Sequence, residues 1–443
     1  MRNPRRVFAR RNCALAVALL FGALLFALAV GASRAYAATE DFALLADTHL
    51  GQPGEAVYKE AEHALRWAVK FPNLKAVCVA GDLTDRGSAK SYDEWAFLCG
   101  NILQGAAHIQ ALGDHDTGKS GEYLHANPLL TVANGYSNFL KINGGSVTSY
   151  HEFEHANVMT VGGSTASGHC SLPSSMLKTL NGRLKRTARQ GKVALVICHY
   201  PYNSYSLASR SKLMGVLRSY PNVIYVSGHL HRYSPDAQCR IARPSCTTTP
   251  YARAGFARGT EYSFKSIGVN ACSSYRSNSY SYANSLSIGD DGAISLKKWN
   301  LSNDTVARSW SFRQAKSSIA VKAKPSKKKY PRSAKLTYSI TFSDGKAYGG
   351  VSSGSTFTLA AGGVKTFGNI PAGVLVSVKL VDAPKGWKKS KTYRMEVGKS
   401  KRIVRVKTAY KAKKPKKGAK AKAKENPLAK NVQKKSKLQA ARH

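Results

Sequence analysis

Short apolar runs, each closed by polar residues, recur along the first two-thirds of the chain. Phe42–Ala46 ends in Asp47, Lys75–Ala80 in Gly81-Asp82, and Ala106–Leu112 in Gly113-Asp114. Val193–Cys198 ends in His199, and Val223–Ser227 in Gly228-His229. Apolar runs of this length bounded by turn residues read as buried strands. After the first of them, Val57, Ala61, Leu65 and Ala68 recur at helical spacing until Phe71-Pro72-Asn73 breaks the helix. Strands alternating with helical segments predict an α/β fold. Sites in open α/β sheets lie beyond the carboxyl ends of the strands, which is where the polar residues fall. Leu286–Trp299 alternates about a Gly289-Asp290-Asp291-Gly292 turn and reads as a closing hairpin.

The pattern changes after residue 302. Residues 303–334 are basic, contain Ser and Pro, and read as a linker. Within 335–409, Leu336–Phe342, Thr356–Ala360, Val374–Leu380 and Ile403–Val406 are strand-like runs separated by Gly, Pro and Asp turns. That segment predicts one small all-β sandwich. Residues 410–443 hold 13 Lys or Arg and one acid, a low-complexity composition that predicts disorder. At the other end, Arg2, Arg5, Arg6, Arg10 and Arg11 precede an apolar run from Ala14 to Gly31 and an Ala35-Tyr36-Ala37 site. Residues 1–37 therefore read as a signal peptide cleaved after Ala37, which predicts a secreted protein, extracellular or bound to the cell wall. No later apolar stretch is long enough to span, so no transmembrane anchor is expected after cleavage.

Charge sharpens this division. The 443 residues carry 68 Lys+Arg against 24 Asp+Glu, a net of +44. Residues 303–443 hold 36 of those cations and 5 of the acids, whereas 38–302 hold 26 and 19. The excess cation belongs to the C-terminal third, and so does any affinity for polyanions. With 43 % apolar residues, whole-chain disorder is excluded. Cys78 and Cys198 sit in apolar runs and read as packed small hydrophobes, while Cys239 and Cys246 are spaced to close a small disulfide.

The strand-end residues form one set: Asp47-Thr48-His49, Gly81-Asp82-Leu83-Thr84-Asp85-Arg86-Gly87, Gly113-Asp114-His115-Asp116, His199, and Gly228-His229-Leu230-His231. Carboxylates and imidazoles converging on one sheet edge suit a pair of divalent metals bridged by a carboxylate. Taken singly, each piece is weak. Together and in this order, the set resembles the calcineurin-like metallophosphoesterase superfamily over roughly residues 40–302, within a domain expected at 38–302, and the family pattern is D-x-H, G-D-x-x-D-x-G, G-N-H-(D/E), H and G-H-x-H.

The resemblance implies a four-layer α-β-β-α sandwich and two divalent ions, Mn, Fe or Zn. Asp47, His49 and His231 would hold the first metal, Asp82 would bridge, and Asp114, His199 and His229 would hold the second. His115 would act as general acid or phosphate binder, oriented by Asp85, and Arg86 would contact phosphate oxygens. The implied reaction is hydrolysis of a phosphodiester or phosphomonoester by a metal-bridging hydroxide, with a diester favoured by the Gly81-Asp82-Leu83-Thr84-Asp85 string. Asp114 departs from the family's Asn. It keeps an oxygen ligand, adds a negative charge beside the incoming phosphate and removes an amide donor.

Thr356-Phe357-Thr358-Leu359, Lys365-Thr366-Phe367 and Ile370-Pro371-Ala372-Gly373 resemble Cna-B-like β-sandwich domains, which imply presentation of a partner, not chemistry. The Lys-rich tail is suited to an anionic cell-wall polymer or another polyanion by counterion release. With no interleaved aromatics beyond Tyr410, sequence-specific nucleic acid is not an expected partner. The alternative is a non-catalytic surface-attachment or polyanion-binding protein on a metallophosphoesterase scaffold, and Asp114 is the feature in its favour.

Overall fold

The computed structural model describes residues 39–51, 55–117, 134–162, 164–166, 169–201, 209–229, 265–269, 271, 281–326, 330–388, 390–398 and 402–410. The expected signal peptide, His231, the Cys239–Cys246 pair and the tail beyond residue 410 lie outside them. Among the described residues no helix is long and apolar enough to cross a membrane.

The first body contains strands β1 (Thr39–Leu45), β2 (Leu74–Val79), β3 (Ala107–Gln110), β4 (Tyr150–Glu152), β5 (Ala156–Thr160), β6 (Ser164–Ala166), β7 (His169–Ser171), β8 (Val193–Ile197), β9 (Val223–Ser227), β10 (Lys265–Gly268), β11 (Tyr282–Gly289), β12 (Ala293–Asn300) and β13 (Thr305–Arg313). Its helices are α1 (Glu55–Ala68), α2 (Ala89–Ile102), α3 (Gly135–Ile142), α4 (Ser174–Arg189) and α5 (Arg210–Leu217). One sheet runs β13-β12-β11-β1-β2-β3 and the second β10-β9-β8-β5-β4. Strands β1, β2 and β3 are parallel, as are β5, β8, β9 and β10.

Side-chain alternation builds four layers from these strands. Phe42, Leu44, Ala76, Cys78, Leu195, Ile197, Ile224 and Val226 meet in the core between the sheets. The intervening Ala43, Leu45, Val77 and Val79 face Ala61, Leu65, Trp95 and Phe139 of the helices α1–α3. On the far side, Ala194, Val196, Val223 and Tyr225 face Leu180 and Leu184 of α4 and Leu213 of α5. Strands buried on both faces explain the continuous apolar runs in the sequence. The expected hairpin is β11–β12, antiparallel about the 289–292 turn.

The basic stretch 303–334 departs from the linker expectation, since it carries two strands. Strand β13 pairs with β12 at the sheet edge, and its Trp310 and Phe312 pack on the inter-sheet core while Arg and Ser alternate outward. Only Gln314 and Ala315 separate it from β14 (Lys316–Pro325), which belongs to the second body. There β14 joins β15 (Lys335–Phe342), β16 (Thr356–Ala360), β17 (Val364–Pro371), β18 (Leu375–Asp382), β19 (Tyr393–Glu396) and β20 (Arg402–Thr408). A β17-β14-β20 sheet and a β16-β15-β18-β19 sheet enclose Ile319, Val321, Tyr338, Ile340, Phe367, Val378 and Val404. The all-β sandwich is thus present, beginning at Lys316 instead of residue 335.

Candidate metal centre

The carboxyl ends of five parallel strands, β1, β2 and β3 in one sheet and β8 and β9 in the other, deliver the polar set to one edge. The turns are tight. Asp47, His49, Asp82 and His229 take φ of 56°, 48°, 51° and 72°. Left-handed backbone at four non-glycine residues is sparsely populated and costs of order 1–3 kcal/mol each unless the surroundings enforce it. Backbone bonds enforce it here: Asp47 N donates to the Gly81 carbonyl at 3.0 Å and His49 N to the Asp82 carbonyl at 3.0 Å. Thr48 Oγ1 donates to the Leu83 carbonyl at 2.7 Å. Two glycines permit the close approach of the loops. A Cβ on Gly113 would lie 2.0 Å from Asp82 Oδ1, and one on Gly81 would lie 2.5 Å from His199 Nδ1.

His199 sets the polarity of the centre. Its Nδ1–H donates to the Ala80 carbonyl at 2.9 Å, which assigns the tautomer and turns Nε2 inward. That nitrogen lies 2.9 Å from Asp114 Oδ1, 3.3 Å from Asp82 Oδ2 and 3.1 Å from His229 Nδ1. His229 Nδ1 is itself 3.4 Å from Asp114 Oδ1. Burial opposes a charged His199, but Asp82 and Asp114 outweigh it and raise the imidazole well above its ordinary range. Burial likewise pushes the Asp114 carboxyl up, and hydrogen bonds with His199 and His229 overcome it, holding the group well below the usual carboxylate range.

His115 occupies the flank. Its backbone N donates to Asp82 Oδ1 at 3.0 Å, and its Nδ1–H donates to the Asp85 carbonyl at 3.0 Å with Asp85 Oδ1 at 3.2 Å. Nε2 is thereby left for other work. Burial lowers the His115 pKa, yet Asp82, Asp85 and Asp114 raise it to about 10. His49 packs edge-on to the His115 ring at 4.7 Å, with its Nδ1 3.9 Å from Asp85 Oδ1. Asp47 accepts from the His229 backbone N at 3.2 Å. Arg86 Nε meets Asp85 Oδ2 at 3.3 Å, with the side chain 43 % exposed.

The donor set fits divalent cations. Asp47, Asp82, Asp85, Asp114 and Asp116 are all buried, at 9 % exposure or less. Burying five carboxylates together is strongly unfavourable without compensating positive charge. Among the described residues, buried Asp82 Oδ2 has only the 3.3 Å contact with His199 Nε2 and no well-formed hydrogen bond, as suits an atom that faces an ion. Donor atoms of Asp114, His199 and His229 lie within 4.8 Å of one another, as do those of Asp47, Asp82 and His199, and those of Asp82, Asp114 and His115. Asp82, Asp114 and His199 each belong to two of these three groups, so the groups share their donors. His49 groups instead with Asp85 and His115.

Two contributors were not assigned from sequence. Asp116 is fully buried and accepts from Thr84 N and Gly113 N, both at 2.9 Å, tying the loops after β2 and β3 together. Its place in the Gly113-Asp114-His115-Asp116 string was the available signal. Tyr200, next in the chain to His199, is buried and its ring lies 5.0 Å from both His199 and His229, forming an apolar wall behind them.

Residues 41–233 match the family model described as calcineurin-like phosphoesterase. No curated protein sequence matches. Among solved structures, the purple acid phosphatase PPD1 from yellow lupin (Lupinus luteus) superposes with a TM-score of 0.43 at 12 % identity over 62 % of this chain. The chain spans 54 % of that phosphatase's length. GAP50, the anchor in the inner membrane complex of Plasmodium, gives 0.40 at 12 % identity, covering 62 % of this chain and 89 % of its own. The shaft pilin spaA from Lactobacillus rhamnosus GG gives 0.21 at 13 % identity, covering 30 % of this chain and 66 % of its own.

Proposed function

We propose, for a chain whose residues 41–233 form a calcineurin-like phosphoesterase domain, the hydrolysis of phosphodiesters outside the cell by a centre of two divalent ions. The observation that carries this reading is the buried carboxylate–imidazole cluster around His199 Nε2, with Asp114 at 2.9 Å and Asp82 at 3.3 Å. Asp114, His199 and His229 would hold one ion, Asp47, His49 and His231 the other, with Asp82 between them. The ions supply Lewis acidity and a water acidified toward neutral pH.

The chain's own groups do the rest. His115, held through Nδ1 by Asp85, presents Nε2 to the leaving oxygen and donates a proton there, a contribution of about 10²–10⁴ in rate. Arg86 offers its guanidinium to the phosphoryl oxygens. The Asp114 carboxylate favours a diester. A monoester arrives as a dianion and a diester as a monoanion, so repulsion by Asp114 disfavours the monoester more. Export follows from the reading of residues 1–37, and retention on an anionic envelope polymer from the cationic residues 410–443.

The test compares bis-p-nitrophenyl phosphate with p-nitrophenyl phosphate, using the full mature chain with Mn²⁺, Fe²⁺ or Zn²⁺ and with chelator. Metal-dependent turnover with the larger kcat/KM on the diester is expected. His115→Ala should lower kcat by about 10²-fold or more. Asp114→Asn should narrow the diester-to-monoester ratio. No turnover with any of the three metals on either ester would overturn the reading in favour of a binding scaffold.

A further inference from the structure

The sandwich carries a surface that neither its fold nor the metal centre requires. Strands β14 and β20 run parallel, and their register sets Lys322 beside Arg405 and Lys324 beside Lys407. The alternating residues Val321, Ala323, Val404 and Val406 point into the sandwich core, so the four cations share its outer face, and all four are exposed. Neighbouring strands are ~4.8 Å apart and next-but-one residues ~6.6 Å apart, so the cations stand in a tight two-by-two block. Like charges on adjacent strands are unfavourable. Ordinary sequences relieve this by interspersing acids.

Among the described residues no acid does so here. The three acids of residues 316–410 are Asp344, Asp382 and Glu396, and none is on β14, β17 or β20. Asp344 accepts from Tyr348, and Glu396 pairs with Arg189 of the first body at 3.6 Å. The opposite outer face is different. It is built from Thr337, Ser339 and Thr358, with charges of both signs in Lys335, Lys379, Arg394 and Asp382. The cation block is therefore a feature of one face, not of the sandwich at large.

We propose that the outer face of the β17-β14-β20 sheet docks a linear phosphate polymer. The charge block excludes the chain's own tail as occupant, because residues 411–443 hold 13 cations and one acid. It disfavours a second copy of a chain of net charge +44 for the same reason. Only Val364 and Ile403 expose apolar surface on these strands, at 52 % and 44 %, too little to seat a membrane. Three lysines and an arginine in a flat array suit a run of phosphate charges, each ammonium acting as a point charge. The sandwich is fixed to a phosphoesterase domain, which makes phosphate the fitting anion. The choice of phosphate as the anion rests on the phosphoesterase reading, whereas the cation block and its polyanion binding do not depend on turnover at the metal centre.

The experiment is a salt titration of binding to labelled long-chain inorganic polyphosphate by the full mature chain. Replacing Lys322, Lys324, Arg405 and Lys407 together by Gln should flatten the slope of log K against log salt by about 3, at ~0.7 for each phosphate that is no longer neutralised. The pair Lys322→Gln with Arg405→Gln should flatten it by about half as much, and serves if the fourfold variant melts early. Lys335→Gln with Lys379→Gln on the opposite face should change it by less than about 0.5. Equal losses from both faces, or no loss from the block, would overturn the proposal. So would a block variant that loses binding to phosphatidylglycerol vesicles while keeping its polyphosphate affinity.

Discussion

Asp116 shows how one side chain outside the ligand set can hold the set in place. Its two oxygens receive the backbone N–H of Thr84 and of Gly113, each at 2.9 Å, and it is wholly buried. Removing the carboxylate leaves two buried donors without acceptors, at about 1–3 kcal/mol each. Asp116→Ala should therefore lower the unfolding free energy by about 2–4 kcal/mol in urea titrations. It should also weaken divalent-ion binding, measured by calorimetry, about 10–100-fold, the range for residues that support ligands. Unchanged ion affinity would mean the two loops hold their register without it. The thiols make a second prediction at this scale. Burial pushes Cys78 and Cys99 up to about 12 and raises the buried Cys198 as well. Thiolates react and thiols do not. Peptide mapping after native alkylation should find these three unlabelled, and labelled after denaturation.

At the scale of elements, the two kinds of glycine should behave oppositely. Gly100 lies in α2, and among the described residues none comes within 4 Å of where a Cβ would stand. Gly100→Ala should stabilise the protein by about 0.5–1 kcal/mol through helix propensity. Gly113→Ala puts a methyl 2.0 Å from Asp82 Oδ1 and should destabilise by about 1–3 kcal/mol while displacing the Asp82 carboxylate. Denaturant midpoints of the two variants on either side of wild type would bear this out; midpoints moving together would refute it. The same contrast explains what was readable beforehand. Strands β1, β2, β8 and β9 are buried on both faces, so they appear as apolar runs, and each hands a ligand-type residue to the loop behind it. Strand β13 is exposed along most of its length, and β14 offers only Ile319-Ala320-Val321 as a continuous apolar run, so both hide in a basic stretch. Strands β4, β5 and β10 were likewise not anticipated. The bond from Thr84 to Asp116 spans 32 residues and depends on two loops meeting, which no local pattern records.

At the scale of the whole molecule, the two bodies are joined by more than their two-residue connection. Asn222, just before β9, accepts from Ala315 N at 2.7 Å and donates to the carbonyls of Ala315 and Ala372, each at 3.4 Å. Gln314 Nε2 donates to the Gly191 carbonyl at 2.6 Å, and Ser343 Oγ to the Arg189 carbonyl at 2.6 Å. Sandwich loops thus close over the end of α4, where the last carbonyls of a helix need donors. Gly373 sits at the seam with φ of 100°, and a Cβ there would lie 2.4 Å from that of Ala188. A seam of this kind predicts coupled unfolding, a single calorimetric transition for residues on both sides. Gly373→Val should part the bodies, since overpacking costs about 1–3 kcal/mol and the left-handed backbone adds strain. The expected result is two transitions. Tryptophan fluorescence should follow mainly the first body, which holds Trp67, Trp95, Trp299 and Trp310 against Trp387 alone in the sandwich. A wild-type protein already melting in two steps would show that the contacts orient the bodies without coupling them. A single step, split by one methyl-bearing side chain at residue 373, would mean that the cationic face of the sandwich is held in a fixed relation to the strand edge that carries the carboxylate–imidazole cluster.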